Sequence, residues 1–205
     1  HTIPDAGGLV IATDQTSDQI NSVVNAQVLD SNLHQAGFEQ ALRSPLTTIT
    51  VSPRIDLQAA PHSTMTFRYN FARNEQGNGG VGQLELPSQA FNNSILSNTV
   101  QVTNSQVIGE KMVNDTRFQY LRLRTGQTPL SEAPAIVVQG AFTGGGNDRG
   151  AFRDRQDRFE LQNYVALVLG AHYLNLGGRL RVGHDANRSE ANYNGEYIFP
   201  TLRAY

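Results

Sequence analysis

Cysteine and tryptophan are absent from the 205 residues, and Lys111 is the one lysine. Without cysteine there is no disulfide frame and no thiolate metal centre. The histidines at positions 1, 34, 62, 172 and 184 follow no metal-site spacing. Long apolar runs are missing too, since no stretch approaches the roughly 18 residues that mark a membrane-crossing helix. That excludes helical spans only, because a barrel strand crosses with about 9–11 residues and one apolar face. Charge of one sign is also lacking: 16 basic against 18 acidic residues leave a net charge of −2. Such a balance gives no general attraction to nucleic acid. The glycine runs Gly77–Gly82 and Gly144–Gly146 lack the Gly-Lys-Ser/Thr ending of a phosphate loop, and no Gly-x-Ser-x-Gly elbow occurs. These absences argue against an enzyme and against a resident cofactor or metal.

What is present is a rhythm. Thr47, Ile49, Val51, Pro53, Ile55 and Leu57 share one face of an extended run, and Met65, Phe67, Tyr69 and Phe71 share one face of the next. Only Ala59–Ser63 separates them. The pattern returns at Phe159, Leu161, Val165, Leu167 and Leu169, then Leu174, Leu176, Leu180 and Val182, joined through Gly170-Ala171-His172. Weaker alternation over about 97–108 and 113–124 flanks Gly109-Glu110-Lys111. Period-2 alternation predicts strands with one buried or lipid-covered face. The faces opposite are polar: Thr66, Arg68 and Asn70; Arg158, Glu160 and Gln162; Asn175, Arg179 and Arg181.

Hairpin turns of about three to five residues alternate with loops of about fifteen to thirty, which are long for a compact domain. A sandwich has no reason to gather its long loops at one end, whereas a membrane barrel does. The expected fold is therefore all-β: an antiparallel meander of about seven strands, part of a larger transmembrane β-barrel with long extracellular loops. Residues 1–45 read as a loop-rich, extracellular segment, with a possible short strand at Leu9–Ala12 and no decisive pattern over 18–41. Residues 46–205 read as barrel wall, with hairpins at 46–73, 97–124 and 156–182 and a further strand starting at 193–199. The lipid-facing residues are then Ile49, Val51, Ile55, Met65, Phe67, Tyr69, Phe71, Phe159, Leu161, Val165, Leu167, Leu174, Leu176 and Leu180. A soluble or filament-forming cell-surface β-protein is the alternative, with the apolar stripes facing each other instead of lipid.

Asp148, Asp154, Asp157 and Glu160 interleave with Arg149, Arg153, Arg155 and Arg158, which reads as a cross-strand ion-pair ladder rather than a calcium site. At a barrel rim, Arg149, Arg153 and Arg155 are candidate contacts for lipid phosphates or an acidic ligand. The Asn-x-Ser/Thr triplets starting at Asn92, Asn114 and Asn187 read as turn chemistry rather than glycan acceptors.

Five segments carry a family resemblance: Ser52-Pro53-Arg54-Ile55-Asp56, Asn114–Tyr120, Gly140–Asn147, the hairpin Phe159–Tyr164 with Gly177–Arg181, and Tyr193–Phe199. In that order, over about residues 45–205, they resemble the barrel of TonB-dependent outer-membrane receptors. The type is Oar-like, abundant in acidobacteria, with a carboxypeptidase-regulatory-like domain ahead of the plug. The resemblance implies location in a Gram-negative outer membrane and import of a scarce solute. Its implied partners are the rest of the barrel and its plug, outer-membrane lipid, and the TonB system acting through that plug. Neither plug nor TonB box is visible here, and seven strands fall short of the roughly 22 that close such a barrel. The expectation is a fragment of a larger protein.

Overall fold

The computed structural model describes residues 10–17 and 20–205, with side chains from Ser22 onward. Residues 1–9, 18 and 19 of the loop-rich segment, His1 and Leu9 included, lie outside the described residues.

One antiparallel sheet makes the body of the chain. It begins with β1 (Val10–Ser17), which lies against β4 (Leu46–Ser52). β4 and β5 (Arg54–Ala60) both pair with β6 (Ser63–Gly79) in a single register, Val51 opposite Phe71 and Arg54 opposite Arg68. They are therefore one strand, interrupted only at Pro53. The Pro53 carbonyl accepts from the Tyr69 amide at 3.1 Å, but proline has no N–H to return. The sheet continues through β7 (Phe91–Ile108), β8 (Met112–Pro129), β11 (Phe152–Leu169) and β12 (His172–Ser189), in that order. Among the described residues no strand pairs with the outer edge of β12. The turns 61–62, 109–111 and 170–171 are short and gather at one end. Gly109 and Gly170 take positive φ there, of 62° and 61°, which a tight turn asks of a residue without a Cβ.

The strands run longer than alternation alone predicts. β7, β8, β11 and β12 are 18 residues each, because Asn, Thr, Arg and Gln continue the ladder beyond the last apolar residue. All-β antiparallel architecture and the three hairpins are as expected. Two expectations need correction. The segment at 193–199 does contain a strand, β13 (Glu196–Phe199), but it is not the next strand of the wall. It pairs in parallel with the short β9 (Ala135–Val138), which also pairs with β10 (Phe142–Gly145). The region before Pro45 is likewise not mere loop: β2 (Ile20–Leu29) and β3 (Gln35–Arg43) form a hairpin.

These short elements build a cap at the long-loop end, and the hydrophobic core is there. Val24, Ala26, Val81, Ala90, Val138, Ala141 and Phe142 are buried together, with Phe38, Leu86, Phe199 and Leu202 packed against them. Phe199 and Phe142 each meet the Tyr205 ring edge-on, at 5.2 and 5.4 Å between centroids. The loops are stitched by backbone bonds, among them Asn25 to Gln83 at 2.6 Å and Leu86 to Thr143 at 2.8 Å. Gln89, itself buried, donates its side-chain amide to the carbonyls of Gly144 (2.6 Å) and Gly146 (2.5 Å), while the Asn147 amide reaches the Gln89 carbonyl. A Cβ at Gly146 would collide with the Ala133 carbonyl, so this close approach requires glycine.

Replacing Gln89 with alanine strands two buried carbonyls without their donors. We expect Gln89→Ala to destabilise the cap by about 1–3 kcal/mol, read as faster proteolytic nicking within 130–151 while the strands stay protected from hydrogen exchange.

Candidate functional site

The sheet presents two faces of different chemistry, and register decides which residue belongs to which. Directly opposed residues point to the same side. Phe67 lies opposite Ile55 and Val102, Val102 opposite Phe118, Phe118 opposite Leu161, and Leu161 opposite Leu180. The next row is Tyr69, Val100, Tyr120, Phe159 and Val182. Carried across every ladder, the register places Ile49, Val51, Ile55, Met65, Phe67, Tyr69, Phe71, Phe159, Leu161, Val165, Leu167, Leu174, Leu176 and Leu180 on one face. Yet these side chains are open: Leu161 is 47% exposed and Leu180 63%. No second sheet covers them among the described residues. The apolar stripes do not face each other, so the sandwich arrangement is not the one found.

Within this apolar face sits a small polar island. The Asn163 amide donates to Asn114 Oδ1 and Thr116 Oγ1, both at 2.8 Å, and Ser63 Oγ donates to Asn104 Oδ1 at 2.9 Å. The groups satisfy one another, which lowers their cost next to apolar surroundings.

The opposite face carries Thr66, Arg68, Asn70, Arg158, Glu160, Gln162, Asn175, Arg179 and Arg181, as the alternation predicts. Glu160 accepts from Arg179 Nε at 3.0 Å and Arg181 Nε at 2.8 Å, and Gln162 reaches it too. Arg54 bonds Asp56 at 2.8 Å, and Thr66 donates to the same carboxylate at 2.6 Å. Gln119, Leu121, Arg158, Glu160, Arg181, Gly183 and Asp185 line a concavity of about 470 Å³ on this face. Gly177 lies beneath the Tyr164 ring, where a Cβ would strike it, so an aromatic covers a glycine inside the strand. The arrangement offers paired charges, amides and hydroxyls over a wide wet surface. It holds no grouped histidines and carboxylates suited to a metal ion among the described residues.

Above the aromatic row the apolar face turns polar. Tyr69 donates to Asn98 Oδ1 and Tyr120 to Asp157 Oδ1, each at 2.7 Å. Tyr120 stacks on Phe159 with centroids 4.6 Å apart, and Arg122 lies over the Tyr120 ring at 5.7 Å. Asp157 binds Arg122 at 2.9 Å and Arg124 at 2.7 Å. The ladder of charges is thus real, but its partners are not the interleaved arginines. Neighbours two apart on one strand share a face, whereas Asp157 and Glu160 point to opposite faces and find arginines on the adjoining strands. Arg153 and Arg155 stand on the apolar-face side, exposed. Arg149 is not with them: it lies in the cap over the Phe91 ring, 5.4 Å from its centroid. Asn92, Asn114 and Asn187 sit within β7, β8 and β12, not in turns.

Glu160 is 17% exposed while its two arginines are more than half exposed, so water screens these pairs. Glu160→Ala is expected to leave the urea unfolding midpoint, followed in detergent, almost unchanged. A large fall would show that the polar face is covered rather than wet.

The chain matches the family model described as outer membrane beta barrel domain over residues 5–204. No curated protein matches it, and no solved structure does. The long antiparallel ladder, the open apolar face and the wet opposite face agree with that match. The chain belongs to the outer membrane beta barrel domain family.

Proposed function

We propose that this chain is wall and loop cap of a TonB-dependent receptor that imports a scarce solute across a Gram-negative outer membrane. In this reading the apolar face meets lipid, the polar face lines the lumen against a plug, and the capped end is extracellular. The observation that carries it is the pairing of one continuous apolar face with an opposite face rich in arginine, glutamate and amides. A lumen of that kind suits a hydrated plug and a polar solute. Strand length adds support. A strand of 18 residues spans about 60 Å at the usual rise, and a tilted crossing uses about 9–11 residues. The upper strand ends therefore stand clear of the bilayer and carry the cap outward. The family resemblance in the five segments above points the same way and to an acidobacterial, Oar-like type.

Among the described residues the outer edge of β12 has no strand partner, which supports a further part of this reading. Backbone groups left open in hydrocarbon cost several kcal/mol each, so more strands of the same barrel close that edge. The protein performs no chemistry on its cargo, needs no cofactor and binds no nucleic acid; its work is passage. The cargo, a metal chelate, oligosaccharide or peptide, is selected by loops and plug.

Two measurements test the reading. Phe67→Arg and Leu167→Arg are expected to block assembly, at a cost of roughly 2–4 kcal/mol near the bilayer midplane, while Arg68→Ala and Gln162→Ala assemble normally. Equal tolerance on both faces, scored by heat-modifiable gel migration, would sink the lipid-facing assignment. For transport, cells carrying the protein are compared with and without a functional TonB. Uptake of a candidate chelate, oligosaccharide or peptide is expected to stop when TonB is removed. Uptake that persists would make the protein a passive pore.

A further inference from the structure

The polar island on the apolar face is larger than its own hydrogen bonds can close. Two adjoining rows form it. One runs through Ser63, Gln106 and Asn114, the other through Asn104, Thr116 and Asn163. Apolar residues enclose both. Val102, Phe118 and Leu161 make the row above, Ile108, Met112 and Leu167 the row below, and Met65 and Val165 stand at the ends. Within the island Asn163 donates to Asn114 and Thr116, and Ser63 donates to Asn104. Much capacity is left over. The Asn104 amide N–H groups, the Asn163 side-chain oxygen and the whole Gln106 amide have no partner among the described residues. On a face that meets lipid no water is at hand, and an open amide there is costly. Such an island needs a polar cover.

Three features identify the cover. An amide carries donor and acceptor in one group, so a patch of asparagine and glutamine is complementary to itself. A charged patch would repel its own copy; none of these six residues is charged. Membrane geometry adds the second feature. Copies inserted in the same direction are related by a twofold axis along the membrane normal, so equivalent residues meet at one depth. The third is access. Gly178 lies directly opposite Asn163, and a Cβ there would meet nothing within 4 Å. The island therefore borders a shallow dent, and another wall can approach to hydrogen-bonding distance.

We propose that this island is the contact between two copies of the protein, side by side in the membrane. Asn104, Gln106 and Asn163 bond across the twofold axis to the same side chains of the second copy. Ser63, Asn114 and Thr116 hold those amides in place. The inference rests on the apolar face meeting lipid, and it adds a paired assembly to the transport reading.

The test uses the full-length protein in outer-membrane vesicles. No cysteine occurs in the 205 residues, so one placed at Gln106 is a clean reporter for this region. Gln106→Cys treated with a short bis-maleimide is expected to give a product of twice the protein's mass. The unsubstituted protein and Gln119→Cys, on the polar face, should give none. Asn104→Leu/Asn163→Leu should insert normally yet self-associate about tenfold more weakly, as losing two or three amide bonds in a membrane implies. Energy transfer between labelled copies in a bilayer reads that change. Unchanged association of the double variant overturns the proposal. So does a cross-linked product of another mass, which would put a different protein on the island. Phe67→Cys separates the two layers of the argument. If it reacts with a water-soluble maleimide, the face does not meet lipid and both readings fall. If it is shielded while Gln106→Cys gives no doubled product, the paired assembly alone is overturned.

Discussion

Backbone hydrogen bonds between neighbouring strands do in this wall what a packed interior does in a globular domain. The wall has no core: every buried apolar side chain among the described residues lies in the cap or at a strand end adjoining it. What holds β4, β5, β6, β7, β8, β11 and β12 together is a long antiparallel ladder with few irregularities. In hydrocarbon that ladder is obligatory, because an unpaired amide has no water to turn to. Even Pro53, which cannot donate, is tolerated because its carbonyl still accepts and the register passes through it undisturbed. The side chains are then left to deal with solvent, and they divide by parity into one apolar and one polar face.

The cap obeys the opposite logic. It has a core of its own, as ordinary soluble domains have, burying Val24, Val138 and Phe142, and no buried side-chain polar atom among the described residues lacks a partner. Gln89 bonds the carbonyls of Gly144 in the short β10 and of Gly146 in the loop after it, and Asn147 bonds the Gln89 carbonyl. The short parallel pairing of β13 with β9 joins segments 61 residues apart in the chain, Glu196 opposite Ala135. Two architectures thus stand in one chain, and between them on the apolar face lies the belt of tyrosine, aspartate and arginine above the aromatic row. Tyrosine suits that level because its ring is apolar and its hydroxyl is not.

Much of this was legible in the residues. Strict alternation in 46–71 and 159–182 located the long hairpins and assigned the apolar face, because strand period is a local property that each side chain reports independently. The short turns at Gly109 and Gly170 were legible for the same reason. Weak alternation hid the true length of β7 and β8, where Asn98, Asn104 and Asn114 occupy the face that Val102 and Phe118 share. The β2–β3 hairpin was hidden further, since its apolar residues pack against loops from distant parts of the chain and so need no clean alternation. The strand expected over 193–199 is legible as a strand but not in its pairing: four alternating residues do not say which neighbour they join.

Fold class, hairpin pairs and the parity of the wall residues follow from local alternation, because period-2 geometry needs only neighbours along the chain. Which charges meet is a property of the assembled sheet. Asp157 was written among Arg153, Arg155 and Arg158, yet it bonds Arg122 and Arg124 on another strand; Arg149 left the rim for the Phe91 ring. Ion pairs and loop cores depend on register between strands some 30 residues apart. That register is set by the summed ladder, which no single segment carries.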